Sequence, residues 1–178
     1  MEKLLDIFYS FIPGFIYLST WLIILYLKYF EKINPRLIGL LLKSDNILLV
    51  SFLTVSLAIG FILHVLTNLI KKPILKYTDF YSIRDEETFK IAVRWLWAND
   101  KYKLSGFFSD RAAFFGNMFT GSIITLFLLL FLYGHVYYEL LPVATVFLMF
   151  WIKYAQDHYD TAVNTCEESN CRYIRRFK

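Results

Sequence analysis

The fold of this chain is decided by residues 111–160, RAAFFGNMFTGSIITLFLLLFLYGHVYYELLPVATVFLMFWIKYAQDHYD. From Ala112 to Tyr138 no side chain carries a formal charge, and about 20 apolar residues at ~1.5 Å each are enough to cross the hydrocarbon core of a bilayer. A break at Tyr133-Gly134-His135 divides the stretch into two arms of a membrane hairpin. The second arm is apolar only from Pro142 to Ile152, about eleven residues, too few to span alone. Burial against other subunits, or inclusion of residues 136–141, must make up the difference, which argues for oligomerisation. A helix that leaves lipid here and continues into water carries Lys153, Asp157 and His158 to a fixed height beside the bilayer.

Composition agrees with the hairpin. Of 178 residues, 57% are hydrophobic and 20% aromatic, and the mean hydropathy of +0.47 exceeds what a soluble core and surface normally share. The sequence predicts an all-α integral membrane protein. Its net charge of +4 points to contact with anionic lipid headgroups rather than to nucleic acid. Cys166 and Cys171 lie in a polar tail and, with His158, lack a fourth ligand at standard zinc spacing. No metal or other cofactor is predicted. GxSxG, HExxH and phosphate-cradling glycine motifs are absent from the sequence.

Outward from the hairpin, residues 1–11 place Leu4, Leu5 and Phe8 at helical spacing, the pattern of a short interfacial helix. Pro13 suits the first turn of a separate helix, residues 13–27, the first span. Residues 28–46 read as a second interfacial segment broken at Asn34-Pro35, and residues 47–70 as an uncharged span that stops at Lys71-Lys72-Pro73. Along this span Ser56, Gly60, His64 and Asn68 recur every four residues and share a face. That face is either a helix-packing seam or the wall of a water-filled passage. On the third span Asn117, Gly121 and Thr125 form a similar file that is expected to meet it.

Between the spans, Ser82 and Asp85 open a soluble helix, Phe89, Ala92, Val93 and Leu96 give it one apolar face, and Asn99-Asp100 ends it. Trp95 and Trp97 beside Arg94, Lys101 and Lys103 suit headgroup anchoring, with base stacking as the alternative. Ser109-Asp110 marks the expected start of the third span. Residues 71–111 carry nine Lys and Arg, residues 153–178 five, and the hairpin turn none, so the positive-inside rule puts both basic segments in the cytoplasm. The resulting organisation is 1–70 interfacial and transmembrane, 71–111 cytoplasmic, 112–152 transmembrane hairpin and 153–178 a cytoplasmic helix end with a basic tail. About four helices are membrane-embedded. The first loop, with Lys28, Lys32, Arg36 and Lys43, then faces outward, unless the first apolar run is re-entrant.

Lys153-Tyr154-Ala155-Gln156-Asp157-His158 is similar to the Arg-x4-His signature of HEPN domains, with Lys153 in the arginine position and His158 in the histidine position. In size, multi-span character and the place of this motif, the chain resembles the small membrane accessory proteins of type VI-B CRISPR systems. The resemblance implies a ring-shaped homo-oligomer in the bacterial inner membrane with a central pore, depolarising that membrane in support of an RNA-guided effector nuclease. The HEPN likeness implies instead a membrane-tethered ribonuclease acting on RNA without metal. A lysine lacks the guanidinium fork that holds a phosphorane, and residues five apart sit ~140° apart on a helix. A non-catalytic membrane scaffold for a cytosolic partner is the third expectation.

Overall fold

The computed structural model describes residues 2–29, 45–77, 83–99 and 101–168. They form five helices: α1 (Glu2–Tyr29), α2 (Asp45–Tyr77), α3 (Ile83–Ala98), α4 (Lys103–Tyr133) and α5 (Leu140–Glu168). Most of the expected interfacial segment at 28–46 and the basic tail at 171–178 lie outside the described residues. Three stretches, Phe11–Tyr29, Leu49–Lys71 and Lys103–Tyr133, are long and apolar enough to cross a membrane. The chain is a helical, multi-pass membrane protein.

Several helix ends differ from those expected. Residues 1–11 and 13–27 are one helix, with Pro13 inside it. The missing proline N–H removes one intrahelical bond, a loss that tertiary packing sustains: Pro13 is fully buried beside Gly14, where α1 meets α2 backbone to backbone. Likewise α2 passes through Lys71-Lys72-Pro73 to Tyr77, because Ile70 and Ile74 continue to pack on Ala112, Trp151 and Ala155. The third long helix starts at Lys103 rather than at Ser109-Asp110, with Tyr102 at the N-cap position and no side-chain capping bond there. What sets this start is tertiary, since Ser105, Gly106 and Ala112 are all buried.

The α4 helix ends at Gly134, whose φ of 74° gives a left-handed cap and whose N–H bonds the Leu130 carbonyl at 2.8 Å. Such a residue has no Cβ to clash in that conformation. Contacts fix the helix directions. Tyr9 meets Phe114, Tyr17 bonds Met118 and Ser122, and Trp21 bonds Thr125, so α1 runs parallel to α4. The α5 helix is antiparallel: Ser105 pairs with His158, Arg111 with Tyr154 and Phe119 with Trp151. The α2 helix also opposes α4, with Thr67 on Thr120 and Ile70 and Ile74 near Ala112. The bundle is therefore up-down-up-down, with α3 packed outside it against the far half of α5 through Ala92, Leu96, Ala162 and Cys166.

The α4–α5 register has a further result. Stepping back from His158 opposite Ser105 and Trp151 near Gly116, Leu140 falls at about the level of Thr125 at equal rise per residue. The linker thus folds back along α4, and Val136 lines a groove with Ile123, Leu126, Phe127 and Leu130.

Candidate functional site

Two groups of residues stand out, one inside the bundle and one at its basic end. Inside, Ser56 and Gly60 are buried where α2 crosses α1. A Cβ on Gly14 would lie 2.0 Å from the Ser56 carbonyl oxygen and 2.6 Å from the Gly60 nitrogen. The two backbones are therefore in direct contact, as small residues allow between helices in lipid. His64 is half-buried and Asn68 is exposed, so the four residues do not share one environment. The reason is geometric: each four-residue step on a 3.6-residue helix turns ~40° beyond a full circle, and three steps carry Asn68 ~120° away. The buried line on α2 runs instead through Ser56, Gly60, Leu63 and Thr67.

On α4 the file Asn117, Gly121 and Thr125 is buried throughout, but Gly121 and Thr125 meet α1 rather than α2. A Cβ on Gly121 would touch the Tyr17 ring at 2.2 Å, and Thr125 accepts a hydrogen bond from the Trp21 indole N–H at 2.9 Å. The α2 contact lies a quarter-turn away, where Thr67 and Thr120 share a hydrogen bond of 2.8 Å and Gly116 admits both Thr67 and the Trp151 indole. Asn117 is 0% exposed, and its amide oxygen and nitrogen find no hydrogen-bond partner among the described residues.

At the basic end the HEPN-like pair separates. Lys153 is exposed, while His158 is only 8% exposed, as the angle between positions five apart on a helix requires. The partner of His158 is Ser105, itself 1% exposed, whose Oγ lies 2.8 Å from Nδ1. One hydrogen sits between them, given either by the hydroxyl or by Nδ1–H. Phe89 of α3 meets the imidazole edge-on at 5.1 Å, and Tyr102 does so at 6.3 Å. Burial lowers the His158 pKa to about 4; the charge of Lys71 lowers it further within that value, and the Ser105 backbone acts the other way.

His158 is thus a neutral imidazole at physiological pH that joins α5 to α4 and α3. As a base it is displaced below the working range, and enclosure keeps a substrate hydroxyl from Nδ1. Sequence reading missed Ser105 because nothing local marks it; only the α4–α5 register brings it to His158. Of the tryptophans considered as anchors, Trp95 takes Lys101 over its ring at 5.3 Å, and Trp97 is exposed and stacked on Tyr102 at 4.3 Å. Cys166 is buried in the α3–α5 contact, and Cys171 lies outside the described residues. No protein-family model, curated protein or solved structure matches the chain.

Proposed function

We propose that this protein is a homo-oligomeric membrane pore, with α5 as a fourth membrane-embedded helix and the basic end, including α3 and the C-terminus, on the cytoplasmic side of a bacterial inner membrane. In this reading it supports an RNA-guided CRISPR effector in antiviral defence, the role that its resemblance in layout suggests. The observation that carries the proposal is the height at which α5 begins. Arg111 and Tyr133 bracket α4 over about 33 Å at helical rise, the thickness of a hydrocarbon core, and Lys28 lies 4.7 Å over the Tyr133 ring at the outer end. The start of α5 is some two turns short of that level. The polar linker residues are thereby drawn below the outer headgroups, on the outside of a single bundle, where neighbouring copies and water would receive them.

Among the described residues Gly14 closes the Ser56 and Gly60 face of α2, so in this reading conduction runs between copies. A membrane potential of 100 mV then supplies about 2.3 kcal/mol per charge without catalysis. The ribonuclease alternative draws no support from an enclosed, neutral His158 set apart from Lys153. The test is the mass and projection image of the detergent-solubilised full chain, together with release of dye from liposomes. A ring with a hole and dye release are expected; a monomer that leaves loaded liposomes sealed would defeat the proposal.

A further inference from the structure

We infer that Glu139 lies at the wall of a water-filled, cation-attracting vestibule in the outer leaflet, bounded by neighbouring copies of this chain; the bounding copies rest on the pore reading above. The α4–α5 register sets Glu139 opposite about Leu126, seven residues short of Tyr133, so its depth below the Lys28–Tyr133 level is ~10 Å at helical rise. A second observation agrees with that depth: Val136, three residues before Glu139, lines a groove with Ile123, Leu126, Phe127 and Leu130, and the hydrogen bonds from the Leu140 and Leu141 N–H groups to the Tyr137 and Tyr138 carbonyls at 3.1 and 3.0 Å keep the intervening turn compact.

Glu139 is exposed and points away from the interior of its own bundle. A carboxylate facing hydrocarbon is costly, whereas Phe127 at the same level is 65% exposed and suits lipid. A carboxylate and a bare phenyl ring exposed at one level are best served by different surroundings, and the neighbouring copies of the pore reading would part water at the one from lipid at the other. Repeated around an assembly, one carboxylate per copy is a ring that concentrates cations at the mouth.

Single cysteines at 139 and 127, placed in the full chain with Cys166→Ala and Cys171→Ala and reconstituted in liposomes, test this with a cationic, membrane-impermeant methanethiosulfonate. The expected result is modification at 139 at least about tenfold faster than at 127. Slow modification at both positions would put Glu139 in lipid and overturn the inference; fast modification at both would indicate a locally thin bilayer and overturn it equally. Reversal potentials in a KCl gradient supply the second arm. The native chain should favour K⁺ over Cl⁻, Glu139→Gln should lower that ratio by about tenfold, and Glu139→Asp should keep it. An unchanged ratio in Glu139→Gln would end the claim of cation attraction. The expected labelling without any conductance would defeat the pore reading and leave the water-filled vestibule standing.

Discussion

The α1–α2 contact at Gly14 and the α3–α5 contact at Ala92 are both close approaches of two helices, yet they are built from different materials. At the first, glycine and serine bring backbone against backbone, and neighbouring hydroxyls bond across helices, Tyr17 to Ser122 and Thr67 to Thr120. At the second, Ala92, Leu96, Ala162 and Cys166 make a small apolar core flanked by Phe89, Trp95 and Tyr102. In lipid an exposed leucine gains nothing by burial, so shape and hydrogen bonds hold helices together. In water the removal of apolar surface is itself the driving force. Along α5 the buried residues pass from Ala144 and Trp151, packed in the bundle, to Ala162 and Cys166, packed against α3, and His158 lies between the two groups.

The most damaging single substitution should be Gly14→Ala. Its new methyl meets the Ser56 carbonyl and the Gly60 backbone, neither of which can move without displacing a helix. A loss of about 3 kcal/mol or more is expected, read as a lower thermal midpoint in detergent, and an unchanged midpoint would mean the two backbones are not in contact. Gly134→Ala is the control: it has open space around it but a left-handed φ, so only about 1 kcal/mol should be lost.

Between the two buried groups of α5, His158 makes a prediction in pH. Its folded pKa of about 4 lies below the unfolded value of ~6.5, so the unfolded chain binds the extra proton between these values. Stability is therefore full above pH ~6.5 and falls as pH drops toward 4, by about 3 kcal/mol in all. Thermal midpoints of the native chain between pH 4 and 8 should show this slope, and His158→Gln should flatten it. A native chain with the same midpoint at pH 4.5 and pH 7 would show that the imidazole is not enclosed.

In the polar lobe, Ala162→Leu should wedge α3 away from α5 at a cost of about 1–3 kcal/mol. Limited proteolysis should then cut within residues 83–98 while α4 and the first half of α5 remain protected; protection of α3 in the variant would refute the packing. The smallest effect belongs to the membrane side. Thr67→Val removes one bond to Thr120 and should cost only about 0.6–1.7 kcal/mol, in keeping with interhelical hydrogen bonds whose partners are replaceable. A loss larger than that of Gly14→Ala would invert the comparison of shape with hydrogen bonding.

Much of this was legible in the chain itself. Apolar length identified the spans, and Phe89, Ala92, Val93 and Leu96 at helical spacing announced the face that α3 buries. Asn99 marked the end of that helix because the end is chemical, as the bond from the Asn99 amide to the Trp95 carbonyl at 2.8 Å illustrates; the expected start signal at Ser82 lies outside the described residues. The ends that were misplaced, at Pro13, Lys71 and Ser109, are those where packing overrides a local signal. Along α2 the four-residue file pointed at Asn68, whereas the buried line follows 3.6 residues per turn to Thr67, a difference that grows with each turn.

By itself the sequence determined what kind of solvent each segment prefers, because transfer free energy belongs to side chains and their spacing. It also separated Lys153 from His158, since that angle is a property of any helix. Which file meets which helix, the pairing of Ser105 with His158, and the depth of Glu139 were decided only in the tertiary structure. Those depend on the relative height and rotation of helices far apart in the chain, and no local pattern encodes an offset between two rods until they touch.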